Sequence, residues 1–380
     1  MQDWRFTTPP IASCVRHKTA LNEPLQHRRE RNQKTLVEIK ANEETLAMKL
    51  FAAALAIASA LLVSPSRADE TSFLLERKIP LGEVRGRIDH LAVDLKRNRL
   101  FVAELENDAV AIVDLDAYKV IHIISGLKRP QGVGYHPATD AVYVANGGDG
   151  TVAIFRGDGY EAIAEISLGE DADNVRVDAV LNQVLVAYGG GLGIIDPANR
   201  TKVADIELKA RLESFQLDRN TNRIFVNAPR NHAIVVVDRA TGKEMARWPT
   251  GSGSNFPMAL NDRAGHVVVA FRDPAKLGAF SMSDGAPIAT VDLCVDADDM
   301  FVDAKRERVY VSCGDGYLDV FDARQGQYRR ITHLPTVAGA RTSLFIPELD
   351  LLLVAARATS SEAAAIWVFR PNYGSDEAIP

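Results

Sequence analysis

The chain has 380 residues, length enough for two domains, with 44 Lys and Arg against 50 Asp and Glu. Residues 69–380 alone carry 34 basic and 44 acidic side chains, a net charge of about −10. An acidic surface of that kind argues against nucleic acid or an anionic membrane as a general partner.

Residues 1–47 are polar and mixed in charge, as in His27-Arg28-Arg29-Glu30-Arg31. Met48-Lys49 then opens an apolar run over 50–63, followed by Ser64-Pro65-Ser66-Arg67-Ala68. A basic start, an apolar core and a small-x-Ala ending describe a secretory signal peptide over 48–68, cleaved after Ala68. A membrane anchor is the alternative, but a span needs about 20 apolar residues. Translation is therefore expected to start at Met48, with 1–47 a non-native upstream extension. The Arg28-Arg29 pair lies too far ahead of the apolar core for a twin-arginine leader. The product is expected to be periplasmic or secreted, with no membrane span after cleavage.

From residue 69 onward the sequence repeats. An apolar–Asp pair, or a close variant, occurs at Val93-Asp94, Tyr135-His136, Val177-Asp178, Leu217-Asp218, Leu260-Asn261, Val302-Asp303 and Phe345-Ile346, at steps of 42, 42, 40, 43, 42 and 43 residues. Each unit holds four short apolar runs. In the second unit these are 132–135, 141–145, 151–155 and 162–167, separated by Pro-, Asn-, Asp- and Gly-containing turns. Strand-rich repeats of about 40–45 residues predict an all-β, seven-bladed β-propeller of four-stranded antiparallel blades over 69–370. The seventh unit supplies three strands before the polar tail 371–380, and the run 72–79 is the expected fourth, closing the ring so that no sheet edge is left open. The Asp that opens each first-to-second-strand turn is expected to cap that turn through its own backbone.

Cys14 lies in the upstream region, leaving Cys294 after the outer strand of blade 5 and Cys313 at the end of the second strand of blade 6. Both emerge on one face where the blades adjoin, and export makes a disulfide the expected state, with two buried thiols as the alternative. No Cys-x-x-Cys-His is present to attach a c-type haem.

The second strands carry a further motif. Val142-Tyr143-Val144-Ala145-Asn146, with variants at 100–103, 223–227 and 308–312, resembles the tetrad of the YVTN family of β-propeller repeat proteins. The resemblance covers about 71–370 and points to the exported YncE-like branch. It implies the fold and a signal peptide, and leaves activity open. The Gly-His…Trp-Asp pattern of WD40 blades is absent. Beyond residue 68 only Trp248 and Trp367 occur, too few for the tryptophan docking that quinoprotein dehydrogenases use, so no pyrroloquinoline quinone is expected.

Inner strands begin at the channel entrance, and the seven starting positions are Asp89, Gln131, Asp173, Glu213, Phe256, Asp298 and Arg341, with His90, Asn174, Asn255 and Asp299 beside them. Carboxylates around one mouth repel each other and call for a cation, a basic neighbour or raised pKa values. These residues are the candidate ligand-binding set. Within it, Asp173, Glu213, Asn255 and Asp298 offer hard oxygen ligands for Ca²⁺ or another divalent ion. Propeller lactonases hold such an ion, and His90 would then be the candidate base. Solvated carboxylates in a water-filled mouth are the plainer account.

No Gly-x-Ser-x-Gly, Rossmann or P-loop motif is present, and Gly189-Gly190-Gly191 reads as a tight turn. Tyr188, Phe271 and Arg357 sit in second-to-third-strand loops on the mouth face, and His122, His232, His266 and His333 lack ligand spacing. The expectation is a monomeric, exported, non-enzymatic module with no required cofactor. It would bind a small ligand or a periplasmic protein through its top face. The alternative is a periplasmic metal-dependent lactonase-type hydrolase or lyase.

Overall fold

The computed structural model describes residues 72–372. The expected extension and signal peptide, and most of the tail, lie outside the described residues. Within them, 28 strands form seven four-stranded antiparallel sheets, six of them in sequence order from the centre outward. The protein is a seven-bladed β-propeller. The inner strands are Leu91–Asp94, Pro130–His136, Val175–Asp178, Phe215–Asp218, Asn255–Asn261, Ala297–Asp303 and Ser343–Ile346.

The period comes from one local device. In six of the seven blades the side chain of the residue ending the inner strand accepts backbone N–H groups two or three residues on, Ile346 of blade 7 being the exception. Asp94 takes Lys96 N at 2.9 Å, Asp178 takes Val180 N at 2.9 Å, and Asp218 takes Asn220 N at 2.9 Å. Asp303 takes Lys305 N at 3.0 Å and Asn261 takes Ala264 N at 3.3 Å. Four positions after the end of each inner strand the backbone is left-handed: Asn98, Asp140, Asn182, Asn222, Gly265, Glu307 and Asp350 have φ between 47° and 69°. Six of those seven are Asn, Asp or Gly, the residues that tolerate this region. The turn chemistry thus fixes each inner hairpin before tertiary packing contributes.

Packing then works between blades. Seven apolar clusters each join two neighbouring sheets. In one, Phe101, Val110 and Ile112 of blade 1 meet Val133, Val142 and Val144 of blade 2. Second strands buried on both faces, such as Ala141–Asn146, are near-continuous apolar runs, whereas outer strands such as Lys119–Ser125 are mostly exposed. Blade 7 contains Ser343–Ile346, Leu351–Ala356 and Ala365–Pro371, and its outer strand is Phe73–Pro80 from the other end of the chain. The register runs from Phe73 opposite Pro371 to Pro80 opposite Ala365.

The face where inner strands end, here the lower face, is tied by ion pairs across blades. Arg97 donates to Asp94 at 2.7 Å and to Asp140 of blade 2 at 2.6 Å. Arg306 repeats the pattern with Asp303 at 2.8 Å and Asp350 of blade 7 at 2.7 Å, and Tyr310 adds its hydroxyl to Asp303 at 2.6 Å. Asp303 and Arg306 are nearly inaccessible, and removing one partner of such a pair costs about 3–5 kcal/mol. A disulfide joins Cys294 to Cys313, with Cα atoms 5.8 Å apart.

Candidate functional site

The upper face is where inner strands begin. Counting back from the turn residue of each blade, the sixth position is buried in all seven: Ile88, Pro130, Ala172, Leu212, Asn255, Ala297 and Ala340. The fifth position turns toward the channel. Gln131, Asp173, Glu213, Phe256, Asp298 and Arg341 line one mouth pocket of about 130 Å³ together with His90 and Asn174. Asp89 is adjacent and 1% exposed. The structure thus brings most of these positions together around one mouth, whereas Asp299 lines the cavity below and Asn255 faces away. Asn255 occupies the buried sixth position and turns to blade 4, where its Nδ2 donates to Asn227 Oδ1 at 2.8 Å and to the Ala233 carbonyl at 3.1 Å.

The ring is more basic than the sequence reading allowed. Arg87, Arg211 and Arg272 also line the pocket, and none of them was singled out. Arg87 and Arg211 stand seven residues before their turn markers, in the same periodic position as Asp171 and Asp296. Reading that second tier would have found them. Arg272 ends the second strand of blade 5 and could not be found that way.

The arginines hold a dense network. Arg87 lies 2.9 Å from Asp89 and 3.6 Å from Asp298. Arg341 Nε lies 2.8 Å from Asp298, and its Nη1 donates to Asp296 at 2.8 Å. Arg272 pairs with Asp298, reaches Asp296 at 3.2 Å, and stacks over the Phe256 ring at 3.6 Å. Arg211 pairs with Asp171 at 2.6 Å, and Gln131 Nε2 donates to the same carboxylate at 3.3 Å.

His90 stands inside a cage of carboxylates. Its Nδ1 is 3.3 Å from Asp299, and its Nε2 is 3.7 Å from Asp173 and 3.9 Å from Asp89. Asp299 is itself fixed by the Ser343 N–H at 2.9 Å. Burial alone would lower the imidazole pKa, but Asp299, Asp89 and Asp173 overcome it and push the group up to about 10. His90 is thus an imidazolium at neutral pH, which removes it as a general base. Burial, reinforced by Asp89, Glu213 and Asp298, raises Asp173 to about 7 against the pull of His90. Burial likewise raises Glu213 to about 7 despite Arg211.

The proposed metal set does not fit these positions. Asn255 is fully buried and does not line the mouth pocket, and Asp298 is held by Arg272 and Arg341. Among the described residues, the only three His, Cys, Asp or Glu ligand atoms within 4.8 Å of one another belong to Cys294, Cys313 and Asp315, and those cysteines are disulfide-bonded.

Below the mouth lies a channel cavity of about 360 Å³, walled by Leu91, Val93, Val133, Val175, Val177, Met258, Met300 and Phe301. His90 and Ser214 border both spaces. The remaining sequence candidates are occupied elsewhere. Tyr188 donates to Asp205 at 3.0 Å, Phe271 is 3% exposed, and Arg357 donates to the Gly86 carbonyl at 3.2 Å.

Seven four-stranded blades around a channel with a charged mouth define the class. No protein-family profile and no curated protein matches the chain. Solved structures do. The WD40 repeats of RRP9 superpose with a TM-score of 0.67 at 11% identity, covering 78% of this chain and 97% of that one. The U3-55K structure gives 0.66 at 11% identity, covering 77% and 98%. Hydrazine synthase from Kuenenia stuttgartiensis gives 0.63 at 14% identity, covering 76% and 97%. At these identities the likeness is one of fold. No helix among the described residues is long and apolar enough to cross a membrane.

Proposed function

We propose that this chain is an exported binding propeller whose upper channel mouth receives a ligand or a protruding group of a partner. One observation carries the reading. Asn174 is 4% exposed and lines the mouth pocket, yet its Oδ1 accepts no hydrogen bond, and Asp173 Oδ1 beside it accepts none either. A buried acceptor left unsatisfied costs about 1–3 kcal/mol, a deficit that an entering donor removes. The arginine–carboxylate network supports the same reading, because it holds the pocket wall in place before anything binds. Export is supported by the signal-peptide pattern over 48–68, by the YVTN-like second strands and by the disulfide.

The test is thermal melting of the purified protein against a panel of linear amines, dicarboxylates and hexoses. It is run on wild type, on the Asp173→Asn/Glu213→Gln double variant, and on Arg219→Ala at the lower channel mouth. At least one class should stabilise wild type and the Arg219 variant while leaving the double variant unmoved. Equal shifts in all three proteins, or no shift from any class, would overturn the proposal.

A further inference from the structure

The pairing around the mouth is lopsided. Arg87, Arg272 and Arg341 make ion pairs at 3.2 Å or less with Asp89, Asp296 and Asp298 on the side formed by blades 1, 5, 6 and 7, although both Asp89 oxygens and Asp298 Oδ2 accept no hydrogen bond there. On the side of blades 3 and 4, Asp173 meets His90 Nε2 at 3.7 Å and Glu213 meets Arg211 Nε at 3.9 Å, neither a hydrogen bond. Arg211 makes its close pair with Asp171 instead, at 2.6 Å. Asn174 shares this wall, with its buried Oδ1 unpartnered. One wall of the pocket therefore presents two under-paired carboxyl groups and a carboxamide oxygen.

The groups around such a wall, with the channel beneath it, decide between the cations that it could take. A metal ion at about 2.3–2.6 Å from each oxygen draws its ligands to within about 5 Å of one another. No three carboxylate or imidazole ligand atoms of the mouth lie within 4.8 Å of each other. An ammonium group brings three N–H donors, at about 2.7–2.9 Å, for these three acceptors, and its alkyl chain can enter the apolar channel below, which a bare metal ion would leave empty. We infer that the mouth binds the primary ammonium group of a small alkylamine, held by Asp173, Glu213 and Asn174. The inference rests on the mouth being the binding site.

Two further features agree. Both carboxyl groups sit near 7 even with His90 and Arg211 beside them, so the cations already present leave them short of positive charge. Beneath the ring, the apolar channel walls of Leu91, Val133, Val175 and Met300 suit an alkyl chain.

The experiment is calorimetric titration of the purified protein with n-butylamine, 1-butanol and butanoate at pH 6 and pH 8. Butylamine should bind, and the neutral alcohol and the anion should not. Its affinity should fall at least tenfold in Asp173→Asn and in Glu213→Gln. It should also rise between pH 6 and pH 8, with proton release seen as a dependence on buffer ionisation heat. That direction follows because both carboxyls must ionise. Asp173 titrates facing His90, Asp89, Glu213 and Asp298, and Glu213 facing Arg211, Arg272, Asp171 and Asp298. The amide variants remove buried charge and keep shape, and a melt confirms that they fold. Butylamine binding that both variants retain would overturn the inference, as would its absence. If butanoate binds instead and the double variant alters it, the alkylamine assignment fails while the mouth remains the site.

Discussion

Glu104 ends the second strand of blade 1, is 2% exposed, and its Oε1 has no hydrogen-bond partner. Burial raises its carboxyl from 4.5 to about 7, with no charged neighbour contributing. That rise corresponds to about 3 kcal/mol between the two protonation states. The sign is set by linkage. Below pH 4.5 both folded and unfolded chains hold the proton. Between 4.5 and 7 the unfolded chain has lost it while the folded chain keeps it, so stability falls as pH rises. Above 7 the full penalty of about 3 kcal/mol is present. Glu104→Gln carries no charge at any pH. Urea denaturation of wild type and variant should therefore diverge by about 3 kcal/mol between pH 4 and pH 8, in favour of the variant. An unpartnered amide in the variant would displace its whole curve by a constant amount and leave that divergence untouched. Parallel curves across the range would refute the reasoning.

Other expectations concern the disulfide and the histidine cage. Replacing Cys294 and Cys313 by serine opens a loop with a sequence separation of 19 and should cost about 3 kcal/mol, read as a lower denaturation midpoint. An unchanged midpoint would mean that the link adds nothing to the packing of blades 5 and 6. His90 should remain protonated across neutral pH, with its imidazole NMR signals titrating near 10. Its stabilisation is then complete below 6.5 and is lost as pH rises through about 10. Titration of that ring near 6.5 would show that the three carboxylates do not act on it as the geometry requires.

The blades were legible because local chemistry repeats in them. An Asp, Asn or His that caps a turn, followed four positions on by a left-handed Asn, Asp or Gly, marks the same point of five blades regardless of what fills the core. The mouth was legible for the same reason, since a fixed offset from that marker selects one direction relative to the channel. Asn255 was included as the polar neighbour of Phe256, but it stands one residue before the mouth position, where the other blades place Ile88, Pro130, Ala172, Leu212, Ala297 and Ala340. The bulge in blade 5 between Asn255 and Met258, around Pro257, does not change that burial. Arg272 was invisible because a charge at the end of a second strand does not say which way it points. The protonation of His90 was equally hidden, because it depends on Asp299 and Asp173, carried by blades 6 and 3 and far apart in sequence.

The closing strand of blade 7 has a geometric corollary. Inner strands run from the mouth downward, so Ala365–Pro371 also runs downward and its antiparallel partner Phe73–Pro80 runs up. Ser72 and Asn372 consequently meet at the lower rim, where the Asn372 N–H donates to the Ser72 carbonyl at 2.9 Å. A tether, fusion partner or solid support joined at either of these two residues is attached on the far side of the ring from the charged opening. Held that way, the molecule hangs like a bell turned upward, with its receptive end toward whatever diffuses past.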